Sequence, residues 1–224
     1  MTITPTTLTR AAGGAAVAAG LIFIGVQINH PHLDIASITT TEVVLRNSLK
    51  VLMAALALAG ITGMYLSQVR RNGVLGLIGY LVLSVGYLSI MSTTAIAAYV
   101  LPAIADTNAG YVNDIIALFT GHKATGDLGA LQTVWQVQGF AYLAGGLLFG
   151  IALYRARVLA RWATALLAVG GVVSVALAVM PDAFYRLLAF PNGIAMIGLG
   201  YSLWRTARSS TPQPAGQPVT VDAS

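Results

Sequence analysis

Six apolar runs, near residues 10 to 28, 46 to 68, 73 to 99, 131 to 154, 158 to 180 and 186 to 205, constrain this chain more than any other feature. A hydrocarbon core about 30 Å thick is crossed by about 20 helical residues, and each run reaches or approaches that length. Lipid offers the backbone no hydrogen-bonding solvent, so a run that enters it has to be helical. The expectation is an all-α polytopic transmembrane bundle of six helices. Only 8% of residues are charged and 57% are hydrophobic, where a soluble domain carries about a quarter charged residues. The first run has a second reading, because Arg10 precedes a short apolar core as in a cleavable signal peptide. Phe23-Ile-Gly-Val-Gln27 offers no Ala-x-Ala cleavage site, which favours a retained helix.

Charge sets the expected orientation, since short loops rich in Lys and Arg stay cytoplasmic. One side collects Arg10, Arg70, Arg71, Arg155, Arg157, Arg161, Arg205 and Arg208, with Asp222 as its acid. The other collects Arg46, Lys50, Lys123 and Arg186 with the remaining acids and the histidines. Both termini are therefore expected in the cytoplasm of a cell whose membrane the chain spans. Tyr65, Tyr154, Trp162 and Trp204 fall at the inner ends of their runs, where amphipathic rings favour the headgroup region. The membrane domain is read as residues 1–208, with an outer loop over 101–130. In that loop Tyr111, Ile115 and Phe119, with Val112 and Ile116 alongside, form an apolar face opposite Asn113 and Asp114, which predicts a short helix lying on the membrane or capping the bundle. Residues 209–224 carry no apolar face to bury and read as a disordered cytoplasmic tail.

Several function classes fall away. The basic residues lie between apolar runs, not on a patch with interleaved aromatics, so no nucleic-acid partner is expected despite the net charge of +5. The chain has no cysteine, which removes disulfides, thiolate metal sites and Cys nucleophiles together. No phosphate-binding Gly-rich loop, His-Glu-x-x-His or Gly-x-Ser-x-Gly is present. No acid falls inside any run, which argues against proton-coupled transport. His30-Pro-His32-Leu-Asp34 is a weak metal candidate, because alternate side chains of an extended segment point the same way. A solvated loop is the plainer reading, and no metal or cofactor is expected.

The stretch with the most chemistry is Glu42-Val-Val-Leu-Arg46-Asn-Ser-Leu-Lys50, whose charges recur every four residues and form one helical stripe entering the second run. At similar depth lie Asn47, Thr93, Thr94, Gln132, Gln136 and Asn192. These polar groups either face a vestibule open to the outside or bond helix to helix. Pro191 removes a backbone donor beside Asn192 and predicts a kink there. Small residues at interface spacing, Ala12, Ala16 and Gly20 in the first run and Gly146 and Gly150 in the fourth, predict close helix packing.

Leu45-Arg46 through Met64-Tyr65-Leu66, the hairpin Ala152-Leu-Tyr-Arg-Ala-Arg-Val-Leu-Ala-Arg161-Trp162 and the last run Leu187 to Arg205 resemble a domain-of-unknown-function family of small polytopic bacterial membrane proteins of actinobacterial type. The resemblance implies a helical bundle and no activity.

The resulting expectation is a non-catalytic membrane protein, a sensor or accessory subunit, that binds a lipid or small amphiphile in an outward-facing pocket of Arg46, Lys50, Gln136, Asn192 and Glu42. Its partners are then the bilayer, that ligand, and further copies or a larger membrane complex. A passive transporter or channel is the alternative, and an intramembrane enzyme using Glu42, Asp182 or a His comes third.

Overall fold

In the computed structural model, residues 3–178 and 189–209 are described, and among them the regular structure is entirely helical. Helix α1 spans Pro5–Gly25, α2 Thr41–Leu66 and α3 Val69–Ile104. Then come α4 over Ala109–Phe119, α5 over Ala130–Ala156, α6 over Arg161–Ala178 and α7 over Ala189–Ser209. Among the described residues α1, α2, α3 and α5 are long and apolar enough to cross a membrane. The tail beyond Ser209, together with Asp182 and Arg186, lies outside the described residues.

The starts of the first two helices are set by polar caps. Thr4 accepts from the Thr7 N–H at 3.2 Å, and Pro5 occupies the first turn, where its missing donor removes no intrahelical bond. Thr40 caps α2 in the same way, accepting from Val43 N–H at 3.4 Å. The helices therefore begin one turn or more before the apolar runs do. Helix α3 outlasts its run instead, passing through a π-helical turn at Ile96–Val100. There the Leu101 N–H reaches back to the Ile96 carbonyl, immediately before Pro102, whose ring cannot coexist with a normal i−4 hydrogen bond.

The six long helices form a closed ring in which α1, α2, α3, α5, α6 and α7 each pack on the next, and α7 returns to α1. Neighbours run antiparallel: Gly13 meets Gly200 while Gly20 meets Gly193, and Gly79 meets Phe149 while Gly86 meets Tyr142. Pro5 and Ser209 thus lie at the same end of the ring. Met53, Ile61, Leu83, Phe149, Leu199 and Leu203 fill the interior. With lipid no less apolar than the core, such helices gain from close backbone approach, and the glycines allow it. A Cβ at Gly13 would stand 2.7 Å from the Gly200 carbonyl oxygen, and one at Gly150 would stand 2.6 Å from the Ala168 nitrogen. Ala12, Ala16, Gly20 and Gly150 do lie at helix contacts, whereas Gly146 has only an ordinary neighbour at 3.6 Å.

A second, smaller core closes the end of the ring opposite the termini. Val112, Ile115 and Ile116 of α4 are buried with Ile38, Val43, Ala97 and Leu101. The loop over 101–130 therefore does form a helix, and it caps the bundle. Its buried stripe is turned slightly from the expected one, since Tyr111 is 44% exposed. On the polar face the Asp114 carboxylate accepts from Thr125 N–H at 2.7 Å, Thr125 Oγ1 at 2.8 Å and Gly126 N–H at 3.1 Å. These donors, the Thr125 N–H first, hold its pKa below the ordinary carboxylate value.

Pro191 opens no comparison with the expected kink. It stands three residues into the described part of α7, and residue 187, whose carbonyl an interior proline would leave without a donor, lies outside the described residues, as does the expected kink.

Candidate functional site

The charged stripe of α2 is present with the expected spacing, but its partners come mostly from the α1–α2 connection. Arg46 Nε donates to Glu42 Oε1 at 2.9 Å, and Nη2 lies 2.8 Å from the same oxygen. Its Nη1 donates to the Val26 carbonyl at 3.1 Å and the Ile28 carbonyl at 2.9 Å. Those carbonyls belong to the end of α1, where unpaired acceptors and the helix dipole favour a cation. Arg46 is 19% exposed on its side chain and its donors are largely consumed. It behaves as a clamp between α1 and α2. A fork already bonded on both arms has few donors left for the anionic ligand expected there.

Lys50, one turn deeper, differs. Its ammonium donates to His30 Nε2 at 2.9 Å. His30 Nδ1 is 2.8 Å from the Pro31 carbonyl, which can only accept, so the ring proton sits on Nδ1 and Nε2 is the acceptor. The imidazole is thus bonded as a neutral ring. Among the described residues the ion pair of Arg46 with Glu42 is the one present, and Lys50 has no carboxylate partner.

The metal candidate does not assemble. The Asp34 carboxylate accepts from the Ser37 N–H at 2.7 Å, while Asp34 N–H donates to Ser37 Oγ at 2.9 Å, closing a local turn. The Ser37 N–H is the main reason that the Asp34 pKa lies below its ordinary value. His30 is turned to Lys50, and His32 is exposed. Among the described residues no group of three or more His, Cys, Asp or Glu side chains is placed to hold a metal ion.

Gln136 and Asn192 are not brought to the stripe. Gln136 is on the exposed face of α5, and Asn192 is buried in α7 against Gly170 of α6. Thr93, only 2% exposed, donates to Gln138 Oε1 at 2.7 Å and ties α3 to α5. Thr94 turns back to its own helix, donating to the Ile90 carbonyl at 2.6 Å. Of these polar groups, Thr93 with Gln138 forms the bond between α3 and α5, while Thr94 bonds within α3 and Gln136 is exposed. Gln138 was hidden in the sequence by its neighbours Gln132 and Gln136, and helix phase relative to Thr93 was the missing information. The Val26 and Ile28 carbonyls carry no residue signature at all. No family model, curated protein or solved structure matches this chain.

Proposed function

We propose that the chain crosses a membrane six times with both termini on the cytoplasmic side, and that it holds the anionic head of a lipid or small amphiphile at its outer mouth. In this reading it works as a sensor or accessory subunit and carries out no chemistry. One observation carries the reading: Lys50 sits inside a helix long enough to span, only partly exposed, with a neutral imidazole beside it and no carboxylate partner among the described residues. A charge at such depth is costly unless an opposite charge meets it. An amphiphile head supplies that charge while its tail stays in the hydrocarbon. Lys50 is then the binding cation and Arg46 the positioning residue, and Gln136 and Asn192 take no part.

Mass spectrometry of the purified protein tests this directly. An anionic amphiphile should accompany the native chain and Lys50→Arg, and be lost from Lys50→Gln while the melting temperature holds. Equal retention by Lys50→Gln would remove the site. Sidedness is separately testable: a reporter active only in the cytoplasm should work when fused after Arg208, and one active only outside should work near Gly121. The opposite pattern would invert the topology.

A further inference from the structure

At the end of the ring far from Lys50, a groove of about 540 Å³ opens where the α2–α3 connection, the α5–α6 connection and the end of α7 converge. Leu66, Gln68, Arg70, Arg71, Val158 and Thr206 line it. Gly73 follows Arg71 by two residues. With φ 57° and ψ −164°, a backbone region essentially reserved for glycine, it separates the turn bearing Arg70 and Arg71 from the rest of α3. Both arginines are exposed and neither has a carboxylate partner among the described residues.

Gln68 is the informative residue. It is 4% exposed, and its Nε2 donates to the Met64 carbonyl at 3.3 Å. That carbonyl only accepts, so the amide cannot be turned over without setting two oxygens against each other. Its Oε1 is buried and has no donor. Buried polar atoms are rarely left in this state, and an unpaired one needs an explanation such as a missing ligand. A guanidinium pair suits a phosphate, while a bare carbonyl oxygen suits a hydroxyl.

We propose that this groove binds a phosphate ester that also carries a hydroxyl, the phosphate meeting Arg70 and Arg71 and the hydroxyl donating to Gln68 Oε1. The site goes beyond the outer-mouth reading and shares no residue with it. A lipid headgroup and a soluble phosphate ester present the same chemistry here, and the apolar walls of Leu66 and Val158 accept either.

Native mass spectrometry of the full chain, titrated with phosphatidylglycerol, phosphatidylcholine and glycerol 3-phosphate, tests it. The titrations are run in the native chain and again in Lys50→Gln, so that the outer mouth cannot contribute. Phosphatidylglycerol, with its free hydroxyls, should bind more tightly than phosphatidylcholine, which lacks them. Arg70→Gln with Arg71→Gln should weaken phosphatidylglycerol by about tenfold or more. Gln68→Met should bring phosphatidylglycerol to the phosphatidylcholine level, with the melting temperature kept or raised because an unpaired acceptor is gone. Competition by glycerol 3-phosphate supports a soluble ester, and its failure to compete supports a lipid. Phosphatidylglycerol binding that survives the double arginine change, or that never exceeds phosphatidylcholine, overturns the proposal.

Discussion

Gly145→Val should be the most damaging single substitution of a glycine in the bundle. A Cβ at that position would stand 2.5 Å from Leu83 Cα and 2.8 Å from Leu83 Cβ, and nearer still to the Leu83 nitrogen. The obstacle is backbone, which cannot rotate away as a side chain can, so α3 and α5 have to separate along a contact that also seats Gly79 and Gly86. Overpacking costs about 1–3 kcal/mol where side chains can adjust. Here the upper end or more is expected, which corresponds to a fall of roughly 6–12 °C in melting temperature for a chain of this size. Gly14→Val is the control, because a Cβ there meets nothing within 4 Å. Thermal melting in detergent should leave Gly14→Val near the native value. If both variants melt together, close packing of α3 on α5 is not what holds the ring.

The second large effect belongs to Arg46→Gln. The pair with Glu42 adds little on its own, since an i,i+4 ion pair at a partly exposed site contributes about 0.3–0.5 kcal/mol. The bonds to the Val26 and Ile28 carbonyls matter more, because a charged donor on a helix end contributes about 1.5–3 kcal/mol. The variant should therefore lose roughly that much stability, and backbone exchange over residues 26–40 should quicken while the α3–α5 contact stays protected. Lys50→Gln should do neither, which separates a clamp from a binding cation. Unchanged exchange over 26–40 in Arg46→Gln would show that the α1 end is held by something else.

These two residues also show what the sequence could and could not reveal. The apolar runs located the six long helices because hydropathy is a property of residues, and the alternation of loop charge was equally visible. The spacing of Glu42, Arg46 and Lys50 was legible for the same reason, since helical periodicity places them on one stripe. Their partners were not, because Arg46 binds backbone carbonyls, which every residue possesses. Gly146 and Gly150 were singled out by small-residue spacing, yet Gly145 is the one pressed against Leu83. Spacing identifies a face that can be approached, but the rotation of the helix decides which glycine is used. Helix starts were displaced for a related reason: Thr4, Pro5 and Thr40 are polar or conformational signals lying outside the apolar runs that define a span. Gln68 beside Arg70 and Arg71 gave no sign of its own, because an amide at the end of an apolar run does not reveal that one of its atoms is left without a partner.

The closure of the ring by α7 against α1 has a consequence for biosynthesis. Helix α1 is completed by α7, far away along the sequence, so the face of α1 bearing Gly13 and Gly20 has no mate until α7 emerges. Every other neighbouring pair can join as soon as its second member is inserted. The ring therefore closes by one slow, sequence-distant docking step. During that interval a nascent α1 can accept α7 from an adjacent chain as readily as its own, and crowded insertion favours exchanged dimers joined through α1 and α7.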